Sequence, residues 1–147
     1  MKWYVFTNFN LLLLIIGYNL GIKSDLWCIS CCNMFGTFVS FSIVPFYDKT
    51  AYKRQRIDHN VSGFLFYTGH VILHICPIIF ILLHVPVNIG IWHCYIAFMF
   101  KLLWAYVSCG SIYLDKVYTK LSKDIWEKVW LLSFFSHFLP IIIKSFL

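Results

Sequence analysis

Six histidines and six cysteines are the side chains of this 147-residue chain best suited to ligate a metal or move a proton. On a helix advancing about 100° per residue, His59, Gly63, Phe66, His70 and His74 fall within an arc of about 80°. His84 would rejoin that stripe if Pro77 did not disturb the phase. Ionisable groups in a membrane almost always face a bundle interior or a cavity, so one face of this helix is expected to be polar and turned inward. A neutral imidazole there can ligate haem iron, donate to a quinone carbonyl or hydrogen-bond a neighbouring helix. His70 and His74 lie one turn apart on one helix, a spacing that can share one metal, whereas bis-histidine haem ligation usually draws on opposing helices.

Cys28, Cys31 and Cys32 form a Cys-x-x-Cys-Cys triplet in an apolar run, and Cys76, Cys94 and Cys109 lie in other runs. A closed zinc site needs four converging nitrogen or sulfur ligands. With no second cysteine pair, the cysteines read as small buried apolar residues and no metal site is expected. Lys101 falls near the middle of an apolar run, where an ammonium must snorkel, pair or lose its proton. Asp58 and Asp115 belong to loops at the basic face, so Lys101 is expected nearer an interface than the run's boundaries suggest.

These groups must be carried on membrane helices. The chain is 61% hydrophobic and 20% aromatic, with 12% charged residues and a mean hydropathy of +0.77; soluble domains carry about 25% charged residues. That excludes a soluble globular enzyme, a disordered tail and a collagen-like fibre. No long basic run exists, so the net charge of +6 reads as a topology signal rather than a nucleic-acid footprint. At about 20 residues per span, the length suits four or five crossings.

Residues 3–22 and 26–47 are uncharged, separated by Lys23-Ser24-Asp25, and make either one long tilted span or a tight hairpin of two. Residues 48–58 form a basic loop. Apolar runs at 60–86 and 91–114 flank an uncharged turn at 87–90. A second basic segment at 115–128 precedes a last run at 126–146, which opens with the interfacial aromatics Trp126 and Trp130. Two spans separate the basic segments, so both are expected on one side, the cytoplasm or the matrix. The expected fold is an all-α integral membrane protein: a three-helix transmembrane core over 48–147, preceded by one or two additional transmembrane segments in 1–47.

From Arg56 to Gly63 the chain reads RIDHNVSG, followed by FLFYTGHVILH. This resembles the start of the first core helix in the larger membrane-anchor (cytochrome b) subunit of succinate dehydrogenase, respiratory complex II. That family's signature runs Ser-x-x-His-Arg-x-Ser/Thr-Gly. His59, Ser62 and Gly63 match, while Arg56 stands at the Ser position and Asn60 at the Arg position. The resemblance covers roughly residues 53 to 147. It implies that Arg56, Asp58, His59 and Ser62 lie close to a ubiquinone headgroup on the matrix side, with His59 and Ser62 hydrogen-bonding the quinone and Arg56 adding positive potential. The family's second core helix carries an axial haem histidine. This chain has none between His93 and His137, with Tyr106 or Tyr113 at that place, which argues against haem b held in the family's way.

The resemblance thus implies a multi-pass subunit of the mitochondrial inner membrane with no covalent chemistry of its own. It would dock the flavoprotein and iron–sulfur subunits beside a second small anchor subunit, in contact with phospholipid, and serve respiratory electron transport and the tricarboxylic acid cycle. The alternative is a supernumerary structural subunit of another mitochondrial inner-membrane respiratory complex or of ATP synthase. A channel, transporter or viral membrane protein would need a polar pore stripe on several helices, and one such stripe stands out in the sequence.

Overall fold

The computed structural model describes residues 4–58, 60–110 and 121–147, all of them helix or connecting turn. Helices α1 (Tyr4–Asn19) and α2 (Asp25–Tyr47) form an antiparallel hairpin rather than one long span. Ser24 makes the turn: its hydroxyl caps α2 by accepting from Trp27 N at 3.2 Å and donates back to Gly17 O at 3.1 Å. Gly17 permits the close approach, since a β-carbon there would sit 2.8 Å from the Trp27 backbone nitrogen.

A short basic helix, α3 (Ala51–Asp58), leads into a continuous rod, Gly63–Leu83, built from α4 (Gly63–His70), a π turn (Val71–Ile75) and α5 (Cys76–Leu83). Pro77 explains the π turn. Proline lacks an N–H and its ring crowds the carbonyl four residues back, and the widened turn, with Cys76 N donating to Val71 O, lies just ahead of it. Then come α6 (Ile91–Cys109), α7 (Lys123–Ser136) and α8 (Leu139–Ser145).

Among the described residues three helices are long and apolar enough to cross a membrane: Asp25–Tyr47, Gly63–Leu83 and Lys123–Ser145; Ile91–Val107 is a shorter apolar helix. Helix α2 occupies the middle of the bundle. It packs against α1, α5, α6, α7 and α8, and Trp27, Cys28, Cys31, Cys32, Asn33 and Met34 are buried around its circumference. A helix apolar on most sides belongs at the centre of a bundle. The Gly63–Leu83 rod is mostly exposed instead. The outer surface carries Ile15, Ile72, Leu83, Leu103, Val107 and Phe135, a distribution suited to hydrocarbon rather than water.

The bundle has two distinct ends. At the first, Phe41, Val44, Ala51, Phe66, Leu121 and Trp126 form a cluster, and Lys128 lies 5.7 Å over the Tyr47 ring. The loop 48–58 and the start of α7 therefore share an end, as expected of the basic segments; residues 115–120 of the second segment lie outside the described residues. At the other, Trp27 Nε1 donates to His84 O at 3.2 Å. His93 Nδ1 accepts from Gly90 N at 2.9 Å, leaving Nε2–H to donate to Asp25 Oδ1 at 3.1 Å.

Candidate functional site

The loop between α3 and α4 brings together part of the expected quinone site. Val61 N donates to Arg56 O and Asn60 N to Ile57 O, folding the chain back so that Arg56, Ile57, Asn60, Val61, Ser62 and Gly63 line one concavity of about 360 Å³. The Arg56 guanidinium covers the Gly63 α-carbon, where a β-carbon would lie 2.6 Å from Nη1. Ser62 is exposed and caps α4, its hydroxyl oxygen accepting from Leu65 N at 3.3 Å. Asp58 is exposed and does not line the concavity. His59 lies outside the described residues.

At the start of the same basic segment, Asp48 closes α2 and binds Arg54, with Thr50 N donating to Asp48 Oδ1 at 3.0 Å. The Arg54 guanidinium holds the Asp48 carboxyl well below the usual carboxylate range, at about 2, despite partial burial that opposes this. Tyr52 donates its hydroxyl to Phe41 O at 2.6 Å, and burial pushes its phenol upward.

Below this end lies the described part of the expected inward stripe, from Gly63 to His74. Phe66 and His74 are buried and His70 is half-buried. The His74 ring stacks on Phe41 at a centroid distance of 4.6 Å, and the His70 ring lies tilted against the same phenyl at 4.5 Å. Their own rings are 4.9 Å apart.

The most developed polar arrangement lies deeper. Lys101 is only 5% exposed, which corrects the expectation that it approaches an interface. Its Nζ donates to Gly36 O at 2.9 Å, Ser40 Oγ at 2.6 Å and Ser133 Oγ at 2.7 Å, and sits 5.5 Å from the Trp130 ring centre. These three acceptors match the three donors of an ammonium, and all are neutral. The Ser40 and Ser133 hydroxyls also donate to Gly36 O, at 2.7 and 3.2 Å. Gly36 makes the site possible a second way: a β-carbon there would overlap the ring of fully buried His137. His137 Nδ1 donates to Ser133 O at 2.6 Å, while its Nε2 makes no hydrogen bond among the described residues. Asn33, one turn before Gly36, is likewise buried with its amide unpartnered among them. Asn10 of α1 donates to Thr37 at 3.3 Å.

Sequence reasoning singled out Lys101 but not its partners. The signal was available: Asn33, Gly36, Thr37 and Ser40 recur at intervals of three and four within an uncharged run, as do Ser133, Ser136 and His137. Polar stripes therefore exist on α2 and α7 as well as on the Gly63–Leu83 rod. Cys28, Cys32 and Cys94 sit in one apolar cluster, with Cys32 and Cys94 sulfurs 3.7 Å apart as free thiols. Among the described residues no three His, Cys, Asp or Glu side chains are placed to hold a metal ion.

Comparison with protein-family models, curated proteins and solved structures returned no match for this chain.

Proposed function

We propose that the chain is a membrane-anchor subunit of a succinate dehydrogenase-type complex in the mitochondrial inner membrane, forming part of a ubiquinone-reduction site and docking the flavoprotein and iron–sulfur subunits beside a second small anchor. The observation that carries this reading is the concavity shared by Arg56, Asn60, Ser62 and Gly63 at the basic end. Its donors suit a quinone headgroup. Arg56 offers guanidinium N–H groups, and Ser62, whose oxygen accepts from Leu65 N, keeps its O–H for a carbonyl. Ubiquinone, when bound, supplies the two-electron acceptor; the chain's residues bind and orient it and raise the local positive potential. On this reading α1, α2, the Gly63–Leu83 rod, α6 and α7–α8 make five crossings, with the basic end in the matrix and phospholipid against the apolar outer surface. Haem b has no place in the proposal.

A second reading, a structural subunit of another respiratory complex or of ATP synthase, is favoured by the capping role of Ser62, since a serine at a helix start requires no ligand to explain it.

Native complex purified in mild detergent separates the two. Recovery of a flavoprotein and an iron–sulfur protein by mass spectrometry supports the anchor reading, and recovery of a different complex without them overturns it. In the purified complex, Arg56→Gln and Ser62→Ala should each raise the apparent KM for quinone roughly tenfold while leaving succinate oxidation by an artificial acceptor unchanged. Unaltered quinone kinetics in both would remove these residues from the site.

A further inference from the structure

We propose that Lys101, with Gly36, Ser40 and Ser133, forms a reversible proton-binding site in the middle of the bundle, whose ligand is a single proton exchanged with solvent. The geometry carries this independently of the quinone reading. An ammonium buried among neutral groups lacks the counter-charge that such a site normally needs. No carboxylate of the described residues contacts Nζ. The described aspartates and Glu127 lie in or beside the end segments, at positions 25, 48, 58, 124 and 127.

What surrounds Lys101 is a network that satisfies either protonation state. With three N–H bonds, Nζ donates to Gly36 O and to both serine oxygens, while the serine hydrogens point to Gly36 O. When one proton leaves for solvent, Nζ keeps two N–H bonds and gains a lone pair. One serine hydroxyl then rotates from Gly36 O to donate to Nζ. Gly36 O loses one of its three side-chain donors and keeps its place in the α2 helix, and no buried donor is stranded. A site built only to hold a fixed charge would use a carboxylate, and one built to exclude charge would use an apolar side chain. Hydroxyls, which donate or accept by rotation, suit exchange.

Among the described residues the other titratable groups around the site are histidines: His137 of α7, whose ring packs on Gly36, and, on the Gly63–Leu83 rod, His74 stacked on and His70 tilted against Phe41, the sequence neighbour of Ser40. On α2 the ionisable groups other than cysteine are Asp25 and Tyr47, at the two ends of the helix.

The test is proton linkage measured on the full chain in lipid nanodiscs. Thermal midpoints of the native chain, Lys101→Met and Lys101→Arg are recorded from about pH 5.5 to about pH 9. Arginine stays protonated throughout this range and methionine carries no proton. If Lys101 exchanges a proton, the native chain's midpoint moves relative to at least one variant by about 3 °C or more across the range. Differences that stay constant with pH against both variants overturn the proposal. The series is repeated in a His137→Gln background. Persistence of the pH dependence there keeps the assignment to Lys101; its disappearance assigns the titration to the histidine and overturns it. Should Lys101→Met fail to fold, the arginine comparison alone decides, because a Lys101 that never releases its proton must track arginine at every pH.

Discussion

The basic-end concavity and the Lys101 network are both built from cations, hydroxyls and a glycine, yet they are held by opposite means. Around Arg56 the backbone does the positioning: the Asn60–Ile57 and Val61–Arg56 hydrogen bonds and the Ser62 cap fix the loop, and the guanidinium reaches across Gly63 from a half-exposed position. Around Lys101 the side chains are positioned by helix packing. Gly36 lets α7 close on α2 until the His137 ring lies on its α-carbon, and that closeness brings Ser133 within reach of Nζ. A water-facing site tolerates unsatisfied groups because solvent completes them. A site in the interior must complete itself, because an unmet buried polar group costs about 1–3 kcal/mol.

The largest expected effect therefore falls on Gly36. Leucine at this position places a branched side chain in the volume of the His137 ring, separates α2 from α7 and strands the Lys101 donors. A loss of about 3–5 kcal/mol, or failure to fold, is expected from overpacking together with an uncompensated buried cation. Thermal unfolding in nanodiscs checks it, with Gly63→Leu as the counterpart at the loop, where only the mobile end of Arg56 must give way. If the two substitutions cost the same, the contrast between a packed and a backbone-built site fails.

Much of this contrast was legible in residue spacing and some was not. The inward stripe of Phe66, His70 and His74 follows from helical periodicity and is present. The shared end of the basic segments follows from counting two spans between them. Lys101 was misplaced because its neighbours in sequence are apolar and its partners are distant: Gly36 and Ser40 are 65 and 61 residues away, and Ser133 is 32 away. Periodicity reports which face of a helix is polar, but not which other face meets it. The central position of α2 was hidden for a related reason. A run apolar on all sides looks the same whether lipid or other helices surround it, and only the small and polar residues at positions 33, 36, 37 and 40 distinguish the two. The loop site was half legible: spacing brings Arg56, Ser62 and Gly63 together, whereas Asp58 does not line the concavity.

A sharper form of the comparison uses one serine from each region. Ser133→Ala removes an acceptor from Lys101 and a donor from Gly36 O, leaving a buried N–H without a partner, and should cost about 1–3 kcal/mol. Ser62→Ala removes only a helix cap exposed to solvent, at about 1 kcal/mol. The expected ordering is Ser133 above Ser62 in the isolated chain, measured by thermal or denaturant unfolding. The reverse ordering would mean that the interior network is looser than its hydrogen-bond distances indicate.

The smallest expected effect concerns the ion pair that anchors the loop. Asp48 stands at the C-terminus of α2, where the helix dipole disfavours a carboxylate, so its low proton affinity must come from Arg54 and Thr50. Because the folded carboxyl is depressed to about 2, the pair's stabilisation is present above the unfolded carboxylate value and is lost as pH falls from about 4 through about 2. Both side chains are partly exposed, which limits the contribution to about 1 kcal/mol or less. Arg54→Gln should move the Asp48 carboxyl resonance, followed by carbon NMR, so that its midpoint rises to the ordinary carboxylate value or above. The stability of this variant should then lose the acid dependence that the native pair confers. A midpoint that stays near 2 without Arg54 would show that the Thr50 hydrogen bonds alone hold Asp48 ionised, and the loop would be backbone-built throughout, with no electrostatic anchor.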